Sequence, residues 1–153
     1  MKIDKREICL KNRKKVFQYS LKNDNGIEIK ILTLGGIITD IIVPDSDRIS
    51  ENIVLGWKDL NDYIDDSSYA GSIIGRNSGR IADGRIKIED NIYEVTKNQG
   101  KNTIHGGKDG FNKKIWSPSI DIEDEEISLI LETYSKDGGE KFLGILRLKL
   151  SIH

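Results

Sequence analysis

Along much of this chain apolar and polar residues alternate one by one, the two-residue period of a half-buried strand. Val16–Leu21 places Val16, Gln18 and Ser20 on one face and Phe17, Tyr19 and Leu21 on the other. The turn-forming cluster Lys22-Asn23-Asp24-Asn25-Gly26 interrupts this run, and Ile27–Thr33 resumes it. An Asn-Gly step between two such runs predicts a hairpin, because both residues tolerate positive φ. After the break at Gly35-Gly36, the β-branched run Ile37–Val43 predicts a further strand ending at Pro44-Asp45, and Asn52–Leu55 a short one. Asp59–Ile64 reads as one helical turn capped by Asp59.

Downstream, Arg85–Ile88 and Ile92–Val95 predict a small hairpin through Glu89-Asp90-Asn91. Ile115–Ile120 reads as a strand, Asp121–Glu126 as an acidic turn, and Ile127–Tyr134 and Ile145–Ile152 as two longer strands. No amphipathic pattern of helical period extends over ten residues. Many short strands with turn signals between them predict an all-β sandwich or barrel. There is no fixed-period repeat, low-complexity tract or linker. The run Ser151-Ile152-His153 stops inside strand-like sequence, as a truncated unit does.

Composition narrows this picture. Residues that are hydrophobic make up 37% and charged ones 32% of 153, a globular balance towards the polar end rather than a disordered one. With 24 basic and 25 acidic residues the net charge is −1, so no global field favours nucleic acid or an anionic membrane. The single cysteine, Cys9, leaves no internal disulfide. Met1–Lys15 alternates charged and apolar residues without a continuous apolar core, unlike a signal peptide, and no apolar run reaches membrane-spanning length. There is no Asn-X-Ser/Thr acceptor. The expectation is a cytoplasmic protein.

Two glycine-rich segments hold the candidate chemistry. Residues 70–85 lack the Gly-Lys-Ser/Thr step of a phosphate loop and the glycine spacing and βαβ setting of a dinucleotide site. Their distinctive content is two arginines four apart, Arg76 and Arg80, among small residues. Two readings stay open: a tight β-corner with surface arginines, or guanidinium forks for vicinal hydroxyls. In Asn102-Thr103-Ile104-His105-Gly106-Gly107, two glycines let the backbone turn sharply beside an imidazole that both donates and accepts.

Taken together the segments resemble the aldose 1-epimerase (galactose mutarotase) family. The resemblance rests on Gly75-Arg76-x-x-x-Arg80-Ile81-Ala82-x-Gly84-Arg85 followed by Asn102-x-x-His105-Gly106-Gly107-x-x-Gly110-Phe111-x-Lys113-x-x-Trp116. Leu34-Gly35-Gly36-Ile37-Ile38 through Val43-Pro44-Asp45, and Asn52-x-Val54-Leu55-Gly56, resemble the family's earlier strands. The resemblance implies a large galactose-mutarotase-like β-sandwich (a supersandwich) binding sugar on one curved sheet, with residues 1–153 as its N-terminal portion. It implies cofactor-free interconversion of α and β anomers of free aldoses such as galactose and glucose. By the same resemblance Arg80 and His105 bind the substrate, His105 assisting catalysis as the first of the family's two active-site histidines. Gly79 stands where several members carry a sugar-contacting asparagine. Phe111, Trp116 and Trp57 are expected in the core.

The resemblance also implies a main acid, a second histidine, and a base, a late glutamate, with an aspartate between them. All three fall beyond this chain. His153 comes too early and lacks the aromatic segment that should follow it. Asp65-Asp66 and Glu123-Asp124-Glu125-Glu126 read as solvated turns. The expectation is therefore a sugar-binding epimerase portion with little activity of its own. The alternatives are a non-catalytic sugar-binding or regulatory module, or an interaction domain that self-associates or takes a C-terminal partner chain.

Overall fold

The structure, a computed structural model, describes residues 1–123 and 126–153. Five strands, β1 (Lys2–Lys11), β2 (Lys14–Lys22), β3 (Glu28–Leu32), β4 (Ile38–Pro44) and β5 (Ser50–Asn52), form one antiparallel sheet in chain order. Next come β6 (Arg80–Ile81), the hairpin β7 (Arg85–Ile88) and β8 (Asn91–Glu94), and β9 (Thr103–Ile104), which pairs with β6. A second antiparallel sheet holds β10 (Ser117–Glu123), β11 (Glu126–Ser135) and β12 (Leu146–Ile152). Short 3-10 turns, among them Leu60–Tyr63, are the only helical elements among the described residues. The all-β fold class read from the periodicity holds.

The two larger sheets pack face to face. Register puts Ile120, Leu129 and Ile152 side by side, and likewise Pro118, Leu131 and Leu150. Alternation then aims this face at Tyr19 and Ile31, with Phe17, Leu21 and Ile29 around them. Ile31, Leu129 and Leu131 are wholly buried. Phe111 and Trp116 close one end, their rings edge to face at 6.3 Å, and the Trp116 indole N–H donates to the Phe111 carbonyl. Val16, Leu32, Leu34, Ile37 and Tyr63 form a smaller cluster with Leu60 and Ile64 of the helical turn. As the sequence predicts, Asp59 caps that turn, its carboxylate accepting from the Asn61 amide at 2.8 Å.

Several boundaries differ from the sequence reading. Residues 2–11, read only as lacking a leader, form a full strand. A bulge between Glu7 and Cys9 breaks the side-chain phase: Ile3 packs with the large cluster, while Ile8 and Cys9, adjacent in sequence, both pack with the small one, so no single alternation runs through the segment. The hairpin after β2 does form, but through Asn23, whose side chain accepts from the Asn25 and Ile27 amides; only Gly26 takes positive φ. The short strand predicted at Asn52–Leu55 lies earlier, at Ser50–Asn52, because it is Ile42, Val43 and Pro44 that set its pairing. Asp121–Glu123, expected in a turn, extends β10, its residues pairing with Glu126–Ser128. Of that acidic run, Asp124 and Glu125 lie outside the described residues. Trp57, expected in the core, is about half exposed at 48%, while Phe111 and Trp116 are buried as expected. No helix among the described residues is long and apolar enough to cross a membrane.

Candidate functional site

Two-residue strands bring the sequence-predicted site residues together. Arg80 of β6 faces Ile104 of β9, and His105 follows directly. The Gly79 carbonyl accepts the His105 amide at 3.1 Å, and the Gly79 N–H donates to His105 Nδ1 at 3.2 Å. Because Nδ1 accepts, the proton of the neutral ring sits on Nε2, which is left as a donor. Tyr69 packs against the other side of the histidine, ring centroids 4.7 Å apart and tilted by 60°.

The loop holding His105 is fixed by directed bonds rather than by a ladder. The Asn98 side chain takes the Ile104 amide at 2.7 Å and donates to the carbonyls of Ile104 and Gly107, both at 2.9 Å. His105 itself has φ of 52° and Gly106 has 87°. At Gly106 a β-carbon would collide with the Gly75 carbonyl, so glycine is required there on both grounds. Arg80 is exposed, and its Nε donates to Gln99 Oε1 at 2.6 Å, which aims the fork without consuming its terminal nitrogens. Tyr69, Asn98 and Gln99 were not singled out from the sequence. The only signal for Asn98 and Gln99 was the density of polar turn formers in Lys97–Asn102, which does not say which side chain turns inward; Tyr69 carried none.

Arg76, the other member of the arginine pair, does not share the exposed surface with Arg80. Its guanidinium donates to Ser135 Oγ and to the carbonyls of Ser135, Lys136, Leu143 and Gly144 at 2.6–3.0 Å. Arg76 is thus a bracket between segments, whereas Arg80 stands exposed on the surface.

Asp66, read as a solvated turn residue, is partly buried. Burial works to raise its carboxyl, but the amide and hydroxyl of Ser68, the Trp57 indole and the Ala70 amide outweigh that and hold it below the ordinary carboxylate value. The turn it stabilises leads into Tyr69, which has φ of 64°. His153 bonds Glu126 at 2.5 Å and Ser128 at 2.8 Å, at the far end of β11 and β12. Bonding to Ser128 and His153 lowers the Glu126 carboxyl. A groove of about 660 Å³ runs past Lys11, Lys113 and Lys136 and includes neither Arg80 nor His105. Among the described residues no three His, Cys, Asp or Glu side chains converge as a metal site does.

Comparison with known proteins identifies the family and the fold. The sequence profile of the family described as Aldose 1-epimerase matches residues 18–153. Galactose mutarotase from Bos taurus is 32% identical over 133 residues, covering 87% of this chain and 37% of that protein. Aldose 1-epimerase from Streptococcus thermophilus is 33% identical over 126 residues, covering 81% and 36%. The crystal structure of galactose 1-epimerase from Lactobacillus acidophilus NCFM superposes with a TM-score of 0.87 at 27% identity, over 98% of this chain and 43% of that one. This chain therefore spans well under half the length of the relatives it matches. On the profile match across residues 18–153, with the fold beneath it, the chain belongs to the aldose 1-epimerase family.

Proposed function

We propose that residues 1–153 are the N-terminal portion of a single aldose epimerase sandwich and contribute the sugar-gripping half of its site. Arg80 and His105 bind a free aldohexose, galactose or glucose, through its hydroxyls and ring oxygen. The observation that carries this reading is the pairing of β6 with β9, which sets the exposed Arg80 opposite Ile104, directly before an imidazole whose Nε2–H is left to donate. Interconversion of anomers requires removal of the C1 hydroxyl proton and protonation of the ring oxygen, followed by ring opening, rotation and closure. His105 would hydrogen-bond the ring oxygen region and stabilise charge developing there. The main acid and base come from sequence outside this chain, as the resemblance implies, and no cofactor takes part. The site of action is the cytoplasm.

One exposed apolar segment favours an interaction surface as well. Ile53, Leu55 and Trp57 are 65%, 94% and 48% exposed in one short segment, a density of apolar surface that favours a covering chain, whether a second copy or a C-terminal partner.

Calorimetric titration with galactose, together with NMR-monitored mutarotation of α-galactose, tests the reading. Binding is expected, weakened at least about tenfold in each of Arg80→Ala and His105→Ala, a loss of one charge-assisted or directed bond. Binding without turnover fits the missing acid and base and equally the non-catalytic module; full turnover by the chain alone contradicts the assignment of catalysis to outside sequence. No heat with any aldose sinks the sugar reading. Sedimentation velocity on the same sample reads the surface: a strict monomer at all concentrations opposes self-association.

A further inference from the structure

The β11–β12 connection lies far along the chain from β6 and β9, yet it grips the His105 loop from two sides. On one side, Arg76 anchors to it through Ser135 Oγ and four carbonyls, of Ser135, Lys136, Leu143 and Gly144. The backbone at Gly75-Arg76 then abuts Gly106 so closely that a β-carbon there would meet the Gly75 carbonyl and the Arg76 nitrogen, and the Phe111 amide donates to that same carbonyl at 3.3 Å. On the other side, Glu140 Oε2 accepts the Lys108 amide at 2.8 Å, and its side chain stands directly over the Gly107 α-carbon. The Glu140 carbonyl accepts the Thr96 amide at 3.0 Å, tying the same connection to the end of β8. Phe142 lies beneath the Arg76 guanidinium at 6.0 Å.

His105 sits between these two grips with φ of 52°, a conformation a non-glycine residue keeps only when its surroundings hold it there. The Nδ1 contact with the Gly79 amide depends on that backbone angle. We propose that Arg76 and Glu140 are positioning residues, a two-point brace by which the β11–β12 connection sets the orientation and tautomer of the His105 ring. Neither residue touches the sugar in this scheme. The consequence for sugar affinity rests on the function proposed above; the consequence for the ring and loop does not.

Glu140 gives the cleaner test, since it is half-buried on a turn and outside both apolar clusters. In Glu140→Ala the Lys108 amide should exchange with solvent at least about tenfold faster, the cost of one directed bond. The imidazole nitrogen signals of His105 should shift towards a mixture of tautomers, and galactose affinity should fall about tenfold with unfolding little changed. Glu140→Gln, which keeps an acceptor oxygen, should restore all three. Arg76→Lys, a point charge without the fork, should give the same ring signature as Glu140→Ala. Unchanged His105 signals and Lys108 exchange in Glu140→Ala would overturn the brace, as would a Gln variant no better than the Ala variant. If wild type binds no aldose, the sugar reading fails while the exchange and ring signals still decide the brace.

Discussion

Between β3 and β11, Ile31, Leu129 and Leu131 are wholly out of solvent, stacked on neighbours that alternate regularly along long strands. Between β6 and β9 only two residue pairs meet, and Arg80 stands exposed. The first region is held by non-directional apolar burial, each fully buried Leu or Ile side chain contributing on the order of 1.5–3 kcal/mol. The second is held by single hydrogen bonds with fixed geometry, those of Asn98, Gly79 and Glu140, around a backbone that takes positive φ at Tyr69, Gly79, His105, Gly106 and Gly107. Stability and placement are thus assigned to different parts of one small molecule. A ligand site must hold its groups within fractions of an ångström, which directed bonds achieve and non-directional burial by itself does not.

The sharpest way to break this contrast is Trp116→Ala. It empties the end of the sandwich and removes the indole donor to Phe111, and should cost about 3–5 kcal/mol in urea unfolding. A loss below about 1 kcal/mol would show that the sandwich is not where stability resides.

Asn98→Ala probes the other region. Three hydrogen bonds are lost from a half-buried side chain, for an expected cost of about 1–3 kcal/mol. Hydrogen exchange should quicken at Ile104 and His105 while the amides of Leu129 and Leu131 stay protected. Uniform quickening across both regions would mean that they open together, and the contrast would collapse.

The smallest effect concerns pH. The Asp66 carboxyl is depressed in the folded state, so its contribution to stability is present above the ordinary value of about 3.9 and is lost as pH falls through the lower folded value. Lowering pH from about 5 to about 3 should therefore shift the urea midpoint of wild type downward more than that of Asp66→Asn. Equal shifts would remove Asp66 from the account of how the Tyr69 turn is held.

Much of the sandwich was legible beforehand. Phe17, Tyr19 and Leu21 were placed on one face and do pack together, and the runs of β3, β4, β11 and β12 were located within a few residues. β1 was missed because its bulge sends Cys9 to the same cluster as its neighbour Ile8 and away from Ile3, and a period-two reading cannot follow a phase change. Trp57 was misplaced because aromatic character by itself suggests burial, and nothing local to Val54–Trp57 reveals whether another surface covers it. Around the site, Arg80 and His105 were found through the resemblance of their motifs, whereas their supports Asn98, Gln99 and Tyr69 were not.

The amino-acid order by itself determined most of the strand faces and the Asp59 cap. Each depends on neighbours within a few residues, where side-chain period and backbone sterics act directly. Only the tertiary structure separated Arg76 from Arg80, four positions apart and alike in type. Arg76 spends its donors on carbonyls 59 to 68 residues away, and Arg80 keeps its terminal nitrogens free. That choice depends on which distant backbone arrives within hydrogen-bonding reach, which no local pattern encodes.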